Sequence, residues 1–136
     1  VLSAAAAFAT GSSWGVMALT LPLILPVAWS TLMADGGVSA DNMHIIYSTL
    51  ASVLAGSIWG DHCSPISDTT VLSSLSTGCD HMEHVRTQMP YALTVGAVSL
   101  LVCTLPSAFG VPWWLTMLAG GIILWLILRV FGKHSY

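Results

Sequence analysis

Asp61 and Asp68 stand seven residues apart in the run Gly60-Asp61-His62-Cys63-Ser64-Pro65-Ile66-Ser67-Asp68-Thr69-Thr70. Pro65 lies between them and disfavours a continuous helix. Carboxylates, hydroxyls (Ser64, Ser67, Thr69, Thr70) and backbone carbonyls freed by a break are the oxygen ligands that suit a hard cation. Desolvation favours the protonated form of a carboxyl, whereas a bound cation favours the ionised form. A site that holds either a proton or a cation, but not both easily, is what an exchanger needs. Two other readings stay open. One is a polar surface loop in which Asp68 caps the following helix. The other is a membrane-embedded enzyme or metal protein, with Asp61 and Asp68 as a hydrolytic aspartyl pair.

A second polar group, Thr10, Ser12 and Ser13, precedes an apolar stretch. It offers further oxygens to a cation, or an ordinary close helix contact between small residues. His62, Cys63, Cys79, His81 and His84 are soft enough for zinc, but His62 and Cys63 are adjacent, without the usual gap between ligands. Cys63, Cys79 and Cys103 lack paired spacing and read as buried free thiols. Asp35 and Asp41 read as solvated loop residues. No P-loop, dinucleotide fingerprint or serine-nucleophile motif is present.

The solvent of these elements follows from charge. Only 7% of the 136 residues are charged and 55% are hydrophobic, with a mean hydropathy of +0.82. A soluble domain needs far more surface charge. The apolar content excludes disorder, and three basic residues are too few for nucleic acid. Residues 1–34 and 87–128 carry no Asp, Glu, Lys or Arg, and apolar runs of that length read as membrane spans. The fold class is therefore an all-α membrane protein. The chain opens at Val1 inside an apolar segment, with neither initiator Met nor basic leader. It is read as the C-terminal piece of a longer protein.

Four segments are expected. Residues 1–34 form a helix interrupted at Thr10–Gly15 and at Pro22 and Pro26. Residues 43–79 form a broken helix or re-entrant hairpin, with Asp41 as N-cap of a first half reaching about Trp59. Residues 89–109 and 112–130 form a transmembrane hairpin, with Pro106, Gly110 and Pro112 in the turn. The pentads Gly11-Ser12-Ser13-Trp14-Gly15 and Gly56-Ser57-Ile58-Trp59-Gly60 match at four positions, which suggests a structural echo. Paired interruptions point to a transporter binding site. If 43–79 crosses once, Arg86, Arg129 and Lys133 fall on one face, which the distribution of cations makes cytoplasmic.

The stretch Gly60–Ser74 (GDHCSPISDTTVLSS), the stretch Cys79–Leu93 (CDHMEHVRTQMPYAL), and Thr10–Gly15 followed by Leu21–Pro26 resemble the signatures of NhaC-type sodium/proton antiporters. The resemblance covers about residues 8–95. It implies the ion-transporter superfamily fold of two inverted halves with broken helices, of which this chain is similar to the C-terminal part. It implies Asp61, Ser64, Ser67, Asp68, Thr69 and Thr70 as ion- or substrate-lining positions, Ser12 and Ser13 behind them, and Na⁺ at Asp61 and Asp68. It further implies a multi-pass protein of the cell (inner) membrane, a transporter and not an enzyme, without a cofactor, carrying Na⁺ and protons. The partners are the bilayer and the N-terminal half of the same transporter; homo-oligomers stay open. The family also contains exchangers of organic acids and amino acids, so that alternative stays open too.

Overall fold

The computed structural model describes residues 1–132; Lys133, and with it that part of the charge-sidedness expectation, lies outside the described residues. The described residues are helical, as the composition requires. The helices are α1 (Leu2–Thr10), α2 (Ser13–Ala34), α3 (Met43–Cys63), α4 (Asp68–Thr77), α5 (His81–Val98), a π-helical segment at Ser99–Thr104, α6 (Leu105–Ala108) and α7 (Trp113–Phe131). Ser13–Ala34, His81–Ala108 and Trp113–Phe131 are long and apolar enough to cross a bilayer. Most of their side chains point outward: Leu19, Leu23, Trp125 and Leu126 are all exposed. Satisfied backbone inside and apolar side chains outside is the arrangement that lipid demands.

The chain divides into two compact units, the first Val1–Met89 and the second beginning at Pro90. In the first, α3 packs against both α1 and α2. Small residues make that contact. A side chain at Gly60 would collide with the backbone carbonyl of Ala4, and Ala4 and Ala7 are buried. Dispersion at such close backbone approach holds apolar helices together where water cannot drive them. In the second unit the π segment packs on α7. A Cβ at Gly120 would stand 2.9 Å from the Cys103 sulfur, and the Cys103 thiol donates to the Thr116 carbonyl at 3.4 Å.

Several boundaries differ from the sequence reading. Pro22 and Pro26 lie inside α2 without ending it. Each removes one backbone donor, whereas leaving helical geometry among apolar surroundings would strand several groups at once. The interruption lies within Thr10–Gly15, at Gly11, in the left-handed conformation (φ 66°), and Ser12, which is extended. Asp41 is not the N-cap of α3. That position belongs to Asn42, whose side chain donates to the Gly37 carbonyl, while the Asp41 carbonyl pairs with His44 Nδ1 at 2.8 Å. α3 continues to Cys63, because Gly60 is needed against α1 and does not end the helix there. At about 1.5 Å per residue it is about 31 Å long, enough to cross a core of about 30 Å, whereas α4 reaches about half-way. α5 begins at His81, well before residue 89, because the Asp80 carboxylate accepts from the Glu83 amide at 3.0 Å and caps it. Pro106 lies within α6, and the turn is made by Phe109, Gly110 (φ 88°) and Val111. The two pentads are not structural equivalents. The first spans a break, and the second lies wholly within α3.

Candidate functional site

The break between α3 and α4 is dictated locally. A residue before proline is pushed out of the helical region, and Ser64 is extended (φ −76°, ψ 129°), as is Ser67 (φ −68°, ψ 136°). Hydroxyls take over from the helix ladder. Ser64 Oγ accepts from the Ile66 amide at 3.3 Å, and Ser67 Oγ shares a hydrogen bond with Thr69 Oγ1 at 2.8 Å. Both serines are fully buried.

The α1–α2 interruption sits directly on this break. A Cβ at Gly11 would lie 2.7 Å from the Ile66 carbonyl oxygen and 2.9 Å from its carbon. Only glycine permits both the positive φ and this approach of two backbones. Two irregular segments thus cross, and the groups that helices would have satisfied are brought together.

Asp61 lies beside the crossing, in the last turn of α3. Its residue is 8% exposed. Ser13 Oγ, from the first turn of α2, donates to Oδ2 at 3.2 Å. The other oxygen, Oδ1, is buried without a hydrogen-bond partner among the described residues, and so is Ser57 Oγ. Ser57 is four residues before Asp61 on the same helix, hence on the same face. The arrangement is a carboxylate oxygen and a hydroxyl on one buried helix face, with a second hydroxyl reaching in from across the break. An unsatisfied buried polar atom costs roughly 1–3 kcal/mol, so the face is suited to a proton or a small cation and poorly suited to emptiness. Ser57 is absent from the sequence-derived candidates. Its signal in the sequence is its place four residues before Asp61.

The other candidates divide. Ser64, Ser67 and Thr70 are buried in or beside the break. Asp68 and Thr69 are exposed at the start of α4. Asp68 is the first residue of α4 and Ser67 holds the cap position. Among the described residues nothing hydrogen-bonds the two aspartates to each other. Ser12 Oγ accepts from the Gly15 amide at 3.2 Å and so caps α2, while Thr10 Oγ1 donates to the Ala6 carbonyl at 2.8 Å. Ser13 alone of that group reaches Asp61.

The histidines have separate partners. Gln88 Nε2 donates to the His62 carbonyl at 2.7 Å and lies 3.1 Å from its ring Nε2. His81 binds Ser74 and the Pro65 carbonyl. Among the described residues no three His, Cys, Asp or Glu side chains converge. The cysteines are free; Cys63 is buried, Cys103 half-buried and Cys79, against expectation, exposed.

The chain matches the Na⁺/H⁺ antiporter family over residues 1–105. It is 42% identical over 99 residues to an uncharacterised protein of Haemophilus influenzae, a match covering 73% of this chain and 17% of that one. It is 35% identical over 100 residues to the arginine/ornithine antiporter ArcD of Halobacterium salinarum, covering 74% and 18%. It is 32% identical over 106 residues to an uncharacterised Na⁺/H⁺ antiporter of Haemophilus influenzae, covering 78% and 18%. The chain thus spans less than a fifth of the length of these relatives. No solved structure matches it.

Proposed function

The chain belongs to the Na⁺/H⁺ antiporter family, and on that premise we propose that it carries the ion-exchange site of a secondary antiporter in which inward protons drive Na⁺ export by alternating access. The observation that carries this is the buried Asp61 carboxylate, with one oxygen held by Ser13 and the other without a hydrogen-bond partner among the described residues, on the helix face that also carries Ser57. Proton and Na⁺ compete for it: protonation neutralises the carboxylate and removes the charge that attracts the cation. Asp61, Ser57 and Ser13 make the first contacts. Ser64, Ser67 and Thr70 hold the crossing around them, and Ser12 fixes the start of α2. Asp68 and Thr69, exposed here, face the remainder of the transporter and bring a second carboxylate to Na⁺ from there. The protein lies in the cell (inner) membrane with Arg86 and Arg129 on the cytoplasmic side, and no cofactor takes part.

A second reading has its own support. The resemblance to an arginine/ornithine antiporter favours exchange of amino acids, with Asp61 pairing a cationic group in place of Na⁺. The test is a ΔpH assay in everted vesicles holding the full-length protein, adding Na⁺, K⁺, arginine and ornithine in turn. Asp61→Asn keeps the volume and an oxygen but neither titrates nor carries charge, and it is expected to abolish cation-dependent proton release. Wild-type exchange in that variant, with unchanged pH dependence, would remove Asp61 from the mechanism.

A further inference from the structure

His81, the first residue of α5, lies outside the Asp61 face yet grips the break. Its Nε2 is 2.7 Å from the Pro65 carbonyl oxygen. Its Nδ1 is 3.0 Å from Ser74 Oγ, and Ser74 Oγ donates to the Val71 carbonyl at 2.8 Å. One imidazole therefore joins the break, the middle of α4 and the start of α5.

The protons in this chain of contacts can be counted. A carbonyl only accepts, so Nε2 must carry a hydrogen. In a neutral ring Nδ1 is then a bare lone pair. Ser74 has one hydroxyl hydrogen and two claimants for it, Nδ1 and the Val71 carbonyl. Two hydrogens cannot make three bonds. Either the Val71 carbonyl loses its second partner, or two lone pairs face each other at 3.0 Å. Ser74 is 2% exposed, which leaves little room for water to repair the deficit. A doubly protonated ring removes the conflict. Nδ1–H donates to Ser74 Oγ, the Ser74 hydroxyl donates to Val71, and Nε2–H donates to Pro65.

We propose that His81 is a second proton-binding site, separate from Asp61, whose protonation tightens the α3–α4 break through the Pro65 carbonyl. Histidine is the side chain suited to exchanging a proton near physiological pH, and hydrogen bonds from an ionised donor are roughly twice as strong as neutral ones. Pro65 is followed by Ile66, whose backbone abuts Gly11, so the grip acts on the crossing itself. His81 is thus a positioning residue. The charged and titratable side chains on the elements that meet here are Asp80, Glu83, His84 and Arg86 on its own turns and Asp68 on α4. Cys79 lies before α5, and Asp61, His62 and Cys63 lie in the last turn of α3. Glu83 is turned to Arg86 at 3.7 Å, and Asp80 is engaged as a cap. The effect on transport rests on the antiporter reading, but the proton site does not.

The test separates the two. The full-length protein, with ring-¹⁵N histidine, is titrated in lipid nanodiscs by solid-state NMR, and His81 is identified by its loss in His81→Gln. On raising the pH, Nδ1 should lose its proton while Nε2 keeps its own. Ser74→Ala removes the acceptor for Nδ1–H and should shift that step. If His81→Gln does not fold, the resonance that Ser74→Ala shifts identifies His81. A ring neutral at every pH, or a midpoint untouched by Ser74→Ala, overturns the proposal. In vesicles, His81→Gln should flatten the pH profile of exchange where His84→Gln leaves it intact. A His81→Gln profile that superimposes on wild type overturns the coupling to the break, whatever ion is transported.

Discussion

Gly11 and Gly78 provide a matched pair for measuring how tightly the two breaks cross. Both are left-handed, with φ of 66° and 65°. Alanine in that region costs roughly 1–2 kcal/mol at either position. The surroundings differ. Nothing lies within 4 Å of a Cβ at Gly78, whereas at Gly11 it would meet the Ile66 carbonyl at 2.7 Å. Backbone cannot swing aside as a side-chain tip can, so relief requires α1–α2 and α3–α4 to separate. Overpacking of this kind costs about 1–3 kcal/mol more. Gly78→Ala should therefore lose about 1–2 kcal/mol and Gly11→Ala about 2–5. Denaturant titration of the full-length protein in mixed micelles reads the difference, and vesicle assays read its consequence. Gly11→Ala should weaken Na⁺-dependent proton release, because Ser13 follows the displaced segment, while Gly78→Ala should leave it near wild type. Equal losses in the two variants would mean that the Gly11–Ile66 approach is not tight, and the crossing would no longer explain how Asp61 and Ser13 are held together.

Ser57→Ala should raise the Na⁺ concentration for half-maximal exchange about tenfold, the effect of one lost hydroxyl contact of about 1.4 kcal/mol, and leave the maximal rate intact. Asp68→Asn should likewise raise the Na⁺ requirement without abolishing exchange; complete loss would put Asp68 at the centre of the site. In a cysteine-free background, Ala40→Cys and Met82→Cys should label from opposite sides of the membrane; labelling from one side would make 43–79 a re-entrant hairpin. Gly120→Ala should destabilise mildly, and Cys103→Ala should relieve it in the double variant, since the 2.9 Å neighbour is a side-chain sulfur; additive losses would show that the two do not touch.

What could be read in the sequence follows from range. The membrane-spanning helices were legible because apolar composition over about 20 residues is a summed property. The break at Ser64–Ser67 was legible because proline acts on its immediate neighbour. Pro22 and Pro26 misled because their effect depends on whether water is there to receive freed backbone groups. Gly60 misled in the opposite sense: it looks like a helix end and is a contact surface for Ala4. The site was half legible. Asp61 announced itself as a carboxylate among apolar segments, but which hydroxyl reaches it depends on how α2 is set against α3, and Ser12 and Ser13 are indistinguishable by type. Ser12 caps its own helix and Ser13 bonds Asp61. His81 was visible as a motif residue, but its role needs the positions of Pro65 and Ser74 together.

The energetics of Asp61 explain why such a face exchanges ions without leaking charge, on the reading proposed here. Burying a carboxylate away from water costs free energy unless it is paired or hydrogen-bonded. One hydrogen bond from Ser13 offsets roughly 0.5–3 kcal/mol of that, and Oδ1 receives nothing from the described residues. The bare anion therefore keeps one buried oxygen unsatisfied among the described residues. Adding a proton to Oδ1 neutralises the group and turns its unsatisfied acceptor into a donor. Adding Na⁺ pairs the charge and gives Ser57 a cation to ligate. Either occupant would satisfy Oδ1, and each excludes the other because both need the same oxygen. A rearrangement that carries the empty carboxylate across the membrane then has the highest barrier, while the two occupied forms cross more readily. On the reading proposed above, obligatory exchange would follow from one half-satisfied carboxylate, and a change that fully satisfied Oδ1 within the protein would be expected to raise stability and abolish transport.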